Sequence, residues 1–230
     1  MVIIALIIAT LGLFWAVVLL NGHQLRRWLI GVFLILFLGM IGLLIANDNF
    51  QYGMVKTHQR TTSTLVSSIP NQPASVPNVL LYQPLGNGTE KVYLYRTNTS
   101  QTKPQTVPTK HVSSKLKTTT SDQATLTVTT TRWQYRNDWQ HALFAFSGEQ
   151  NRVSHRDYTF RLPQTWLSLS TTEAKQLAKI MKSPAQQQAI KAKVSEQVAQ
   201  AVKQDPKMSA SQRSALIQKT TIAVIKAQLK

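Results

Sequence analysis

The 230-residue chain has no cysteine, which excludes a disulfide framework, a thiolate nucleophile and a zinc–thiolate centre. Acidic side chains are scarce, with nine Asp and Glu against 26 Lys and Arg. Paired-carboxylate catalysis therefore has little to draw on, and Asp138 and Glu149 read as solvated loop charges rather than an acid and its base. Charge of either sign almost vanishes from the first 46 residues, whose only ionisable side chains are His23, Arg26 and Arg27. A phosphate-cradling glycine loop, a His-x-x-x-His pair and a repeat of fixed period are missing too. His23, His58, His111, His141 and His155 are scattered. His155 and Asp157 would share a strand face, but two ligands do not make a metal site. No catalytic residue, metal ligand or cofactor site is expected.

What the chain does have is oil at one end and positive charge at the other. Two apolar runs, Val2 to Leu20 and Trp28 to Ala46, each hold 13 residues of the Leu, Ile, Val and Phe set. At about −0.3 to −0.6 kcal/mol per residue, each favours insertion into lipid by roughly 4–8 kcal/mol. Each is also long enough for a hydrocarbon core of about 30 Å. The first run lacks a basic stretch before it and exceeds a signal-peptide core in length, so a retained span is expected. The segment Asn21 to Arg27 is too short for anything but an antiparallel hairpin.

Small residues at helical spacing mark a packing seam: Ala5, Ala9, Gly12 and Ala16 on the first span, Gly31, Gly39, Gly42 and Ala46 on the second. Trp15 and Trp28 are candidate interfacial anchors. Arg26 and Arg27 put the hairpin in the cytoplasm by the positive-inside rule, and hence the remainder outside. Lys56 and Arg60 argue weakly against this.

Two of the 26 basic residues and one of the nine acidic ones precede residue 51, so 24 and 8 follow. After a connector over 49–78, with Pro70, Pro73 and Pro77, a β-rich domain is predicted over 79–169. Its clearest element is a hairpin, Val79 to Tyr82 and Val92 to Tyr95, turned at Gly86-Asn87-Gly88. Both arms are apolar on both faces and so suit a central position. Residues 98–123 read as a mobile loop, with a ragged edge strand an option over His111 to Lys117. The apolar phase of Thr125 to Tyr135 shifts between Val128 and Trp133, which predicts a bulge or a change of partner. Asn137-Asp138 supplies a turn before His141 to Phe146. Tyr158, Phe160 and Leu162 alternate as a half-buried strand. Five or six such strands predict an antiparallel sandwich or small barrel.

Residues 170–230 form a basic helical region, making the whole a membrane α-hairpin plus an α+β soluble domain. Thr171 or Thr172 caps its first helix, Ser183-Pro184 opens the second and Ser209 or Ser211 the third, after a break at Asp205-Pro206. Lys175, Lys179 and Lys182, followed by Lys191 and Lys193, are candidates for contact with anionic lipid or wall polymer. Nucleic acid is disfavoured because no base-stacking aromatics lie among these cations. Ser114-Lys115-Leu116-Lys117 matches the Ser-x-x-Lys of penicillin-recognising enzymes, but without a helix start or supporting motifs.

Two spans ending in Ala46-Asn47-Asp48, then Tyr52-Gly53-Met54, Val92-Tyr93-Leu94-Tyr95-Arg96, Tyr135-Arg136-Asn137, Leu143-Phe144 and Leu162-Pro163 with Trp166 and Leu169-Ser170, resemble an uncharacterised membrane-protein family of lactic-acid bacteria classed as a domain of unknown function. The resemblance implies a Gram-positive host and a two-span architecture, and it carries over no catalytic residue. It also suggests company with multidrug transporters. The leading expectation is a non-enzymatic cell-envelope protein that binds or scaffolds at the membrane or wall surface. An accessory subunit of a membrane transporter is the alternative, and a cell-wall hydrolase is disfavoured by the missing catalytic constellation.

Overall fold

A computed structural model describes residues 1–70, 72, 76–86, 90–205 and 207–229. Pro73, Asn87, Gly88 and Pro206, named above for the connector, the hairpin turn and the tail break, lie outside these. The chain forms two compact units, Met1–Gln59 with Thr129–Arg156, and Arg60–Val128 with Asp157–Lys230.

The first unit begins with two helices, α1 (Val2–Val18) and α2 (His23–Phe50). Among the described residues only α2, with 28 residues or about 42 Å, is long and apolar enough by itself to cross a bilayer. Helix α1 is equally apolar but has 17 residues, stopping short of the predicted Leu20. None of the most apolar stretch of α2 is buried in protein, unlike a soluble core helix. Helix α2 outruns its apolar stretch at both ends and closes at Gln51 in the left-handed conformation (φ 52°), where the Tyr52 N–H returns to the Ala46 carbonyl at 3.1 Å.

Among the described residues eight strands follow instead of five or six: β1 (Met54–Thr64), β2 (Val79–Leu85), β3 (Glu90–Tyr95), β4 (Gln105–Thr106), β5 (Val112–Thr119), β6 (Thr125–Tyr135), β7 (Val153–Pro163) and β8 (Leu167–Ser170). They make two four-stranded sheets, ordered β1-β6-β7-β5 and β4-β3-β2-β8. In the first, His58 lies beside Thr131 and Thr62 beside Thr127, the opposed numbering of an antiparallel pair. The second holds the predicted hairpin at its centre, with Tyr82 opposite Tyr93. Here β8 pairs parallel to β2, Leu81 beside Leu169, so this sheet is mixed rather than antiparallel.

Within 98–123 the edge-strand option over His111 to Lys117 holds as β5, and the loop reading is corrected at β4; the stretch's threonines are β-branched and suit an extended backbone. The stretch beginning at Asp138 is a short helix, α3 (Asp138–Leu143), whose start is fixed by the Asn137 side chain accepting the Gln140 N–H at 2.9 Å. The phase shift in β6 coincides with a change of core: Leu126 belongs to that of the second unit and Tyr135 to that of the first.

In the second unit, Tyr93, Tyr95, Leu126, Tyr158, Phe160 and Leu162 from both sheets meet in one core, with Phe160 fully buried and its ring 4.8 Å from that of Tyr93. Arg96, at the end of β3, is buried and donates to the carbonyls of Ser67 (2.9 Å) and Thr99 (2.7 Å), tying two loops to the sheet. Helices α4 (Thr171–Lys182), α5 (Pro184–Gln204) and α6 (Ala210–Gln228) complete it. Ser170 rather than Thr171 or Thr172 caps α4, in a reciprocal box with Glu173. Ser209 does the same for α6 with Gln212. Leu177, Ile222, Ile225 and Leu229 bury their side chains with Leu167 and Leu169, which absorbs part of the apolar surface that spreads around α6.

Candidate functional site

The first unit gathers its apolar and aromatic groups where α1 begins and α2 ends. Val2 is 1% exposed and packs with Met54, Tyr135 and Phe144. The Met1 ammonium donates to the carbonyls of Ala142 and Leu143, both at 2.9 Å, satisfying the C-terminal end of α3. Asn47, the first polar residue after the apolar run, is 1% exposed and fully engaged. Its amide donates to the Tyr52 carbonyl at 2.9 Å, and its Oδ1 accepts from the Tyr135 hydroxyl at 3.2 Å. That hydroxyl also meets Ser147 Oγ at 2.7 Å, and the Tyr135 ring stacks on Phe144. Outside this network Arg152 bonds Glu149 at 2.7 Å and faces Asp48 at 3.9 Å. The bond to Glu149, with its charge, raises the guanidinium pKa. Phe50, Tyr52, Trp139 and Phe146 in the same unit remain 55% to 77% exposed.

The predicted seam residues divide. Ala9 and Ala16 are fully buried, and a Cβ on Gly12 would lie 2.4 Å from the Phe33 ring, so α1 and α2 approach closely there. Ala5 and Ala46 are half-buried. Gly31 is half-buried, and Gly39 and Gly42 are exposed, with nothing within 4 Å of a Cβ at any of the three. Trp28 is exposed at the far end of α2.

In the second unit, Lys175, Lys179 and Lys182 stand exposed along α4, with Lys191 and Lys193 exposed on α5. Lys191 lines a groove between α5 and α6, whereas Lys193 borders a separate hollow with Glu196. Burial raises the pKa values of Tyr93 and Tyr95 above 10.0, with smaller contributions from the neighbouring Tyr82 and Tyr158 respectively.

Ser114 and Lys117 lie on strand β5, where residues three apart point to opposite faces, and Ser114 Oγ is 3.4 Å from the Lys91 carbonyl. Asp157 accepts a short hydrogen bond from Ser113. Among the described residues no three His, Asp or Glu side chains gather at a metal-binding distance. Sequence reasoning passed over Asn47, Tyr135 and Ser147. The one available signal was an asparagine set directly after an apolar run, where a buried amide needs partners from elsewhere.

Residues 23–177 match the model of a family described as a domain of unknown function (DUF4811). No curated protein and no solved structure matches the chain.

Proposed function

The chain belongs to this DUF4811 family, whose description assigns no activity, and from its geometry we propose that it is a membrane-anchored, non-enzymatic protein of the cell envelope. Helices α1 and α2 form a two-pass anchor, and the β units with their basic tail bind or scaffold at the outer surface. The observation that carries this is the packing of Val2 with Met54, Tyr135 and Phe144 in the core of the first unit. A cleaved leader has no reason to be built into the core of what remains. The same contact, together with Asn47 and Tyr135, supports both ends of the helix pair lying on the domain side. With Arg26 and Arg27 in the opposite turn, the positive-inside rule then favours an extracytoplasmic domain. The exposed Phe50, Tyr52, Trp139 and Phe146 fit an interfacial collar at that membrane surface.

Two experiments test the reading. Carbonate-washed membranes should retain a chain whose intact mass still includes residues 1–20, and a product released by carbonate or shortened at its start would refute the anchor. The full chain in zwitterionic nanodiscs should capture anionic wall polymer at low salt and release it as salt rises. No capture would remove surface binding through Lys175, Lys179, Lys182, Lys191 and Lys193.

Gly39 and Gly42, exposed on α2 with open space around them, favour a second reading. They offer a face on which a transporter helix packs, making the chain an accessory subunit. Co-purification in mild detergent of a stoichiometric membrane partner, lost in Gly39→Leu and Gly42→Leu, supports this. Absence of any partner removes it.

A further inference from the structure

Helix α5 carries Ile190, Val194, Val198 and Val202 at four-residue spacing, a stripe of about 18 Å along the axis. Ile217 and Ile225 of α6 face it. Valine is too short to close the gap, and a groove of about 610 Å³ remains, well within the range of small-molecule sites. Its neutral polar side chains each turn a donor to a nearby backbone carbonyl. Thr221 donates to the Ile217 carbonyl at 2.7 Å, Ser195 to that of Ala192 at 2.8 Å, and Gln187 to that of Met181. Lys191 is the exception, exposed at the groove and without an ion pair among the described residues. The surrounding helices strengthen the asymmetry, with six Lys and Arg against the single Glu196.

We propose that this groove binds one long-chain fatty-acid anion, its acyl chain along the α5 stripe and its carboxylate at Lys191. The apolar length suits a single extended chain, and the one unpaired cation suits a single negative charge. The neutral polar side chains turn a donor to nearby backbone carbonyls, so Lys191 is the cation that the groove offers an anionic headgroup. The inference deepens the surface-binding reading and rests on it for the role of Lys191. Acyl insertion persists in salt, however, whereas adhesion to a charged surface does not.

The test uses the full chain in phosphatidylcholine nanodiscs with a diazirine-bearing palmitate, followed by peptide mass mapping after photolysis. Label is expected on α5 and α6 as well as on the membrane helices. It should survive about 1 M salt, where the screening length is about 3 Å. Val198→Trp, which fills the groove, should cut tail labelling about tenfold while leaving label on α1 and α2 unchanged. Lys191→Gln, an exposed change that does not threaten folding, should weaken labelling by the palmitate but not by the matching diazirine alcohol. Label confined to α1 and α2, label equal in Val198→Trp, or label lost in salt would each overturn the groove. Cross-links joining α5–α6 of two chains would do so as well, since a second copy would then cover it. Loss of tail labelling with polymer capture intact would leave the surface reading standing. Labelling without polymer capture would remove that reading alone.

Discussion

Helices α1 and α2 meet so closely that a Cβ on Gly12 would collide with the Phe33 ring, whereas α5 and α6 stand far enough apart to leave a groove of about 610 Å³. Each pair joins helices that follow one another directly in the chain. The first buries Ala9 and Ala16 at its contact and exposes Ile, Leu and Phe outward. The second turns lysines outward and lines its inner face with valine. In lipid, burying apolar surface between helices gains little, so small side chains and close contact must hold the pair. In water the burial itself holds the helices, and imperfect packing leaves usable space. On the proposed reading, the comparison separates a part held in lipid from a part able to hold a ligand.

The largest expected effect lies in the second unit. Phe160→Ala empties the shared core of the two sheets and should cost about 3–5 kcal/mol, read as a lowered denaturant midpoint for the β signal. Protease protection of α1 and α2 in the same sample should hold, since their contacts belong to the first unit. Gly12→Leu should cost the helix pair about 1–3 kcal/mol through overpacking against Phe33, visible as lost protection in detergent. Gly39→Leu, facing open space, should change that protection little. Equal effects at the two glycines would contradict the observed α1–α2 contact.

Tyr135→Phe should cost about 1 kcal/mol by leaving Asn47 Oδ1 short of a donor, detected as faster proteolysis at the end of α2. The smallest effect is a pH dependence. Tyr93 and Tyr95 have folded pKa values raised above 10.0 by burial, so the folded state holds these protons more tightly than the unfolded state. The stability they contribute is complete below pH 10.0 and falls as pH rises through the folded values. Denaturation midpoints measured across that range should fall in the native chain and fall less in a Tyr93→Phe, Tyr95→Phe variant.

The apolar runs, the β2–β3 hairpin and the three tail helices were legible because each is written locally, in run length, alternation or capping residues. Asn137 also had its meaning locally, yet turn chemistry and helix capping use the same side chain, and only the bond to the Gln140 N–H decides between them. Strand β8 was missed because four residues, Leu167–Ser170, carry almost no periodic signal and gain their partner, β2, from far along the chain. The same holds for the candidate sites. The lysines were read from spacing, and so was a seam of Ile190, Val194, Val198 and Ala201 on α5, but not Val202 or the open gap beside Val198, which depend on how α6 packs. The Asn47–Tyr135 bond joins residues 88 positions apart, beyond the reach of any local pattern.

The absence of cysteine makes one measurement especially clean, because a single introduced thiol is the only one in the chain. Asn21→Cys in the turn between α1 and α2, and Ser121→Cys in the exposed loop before β6, should be treated with a membrane-impermeant maleimide in intact cells and after permeabilisation. A two-pass anchor with its domain outside requires Ser121→Cys to label in intact cells and Asn21→Cys to label only after permeabilisation, both on full-length membrane-bound chains. Labelling of both sites in intact cells, or a chain lacking residue 21, would contradict it.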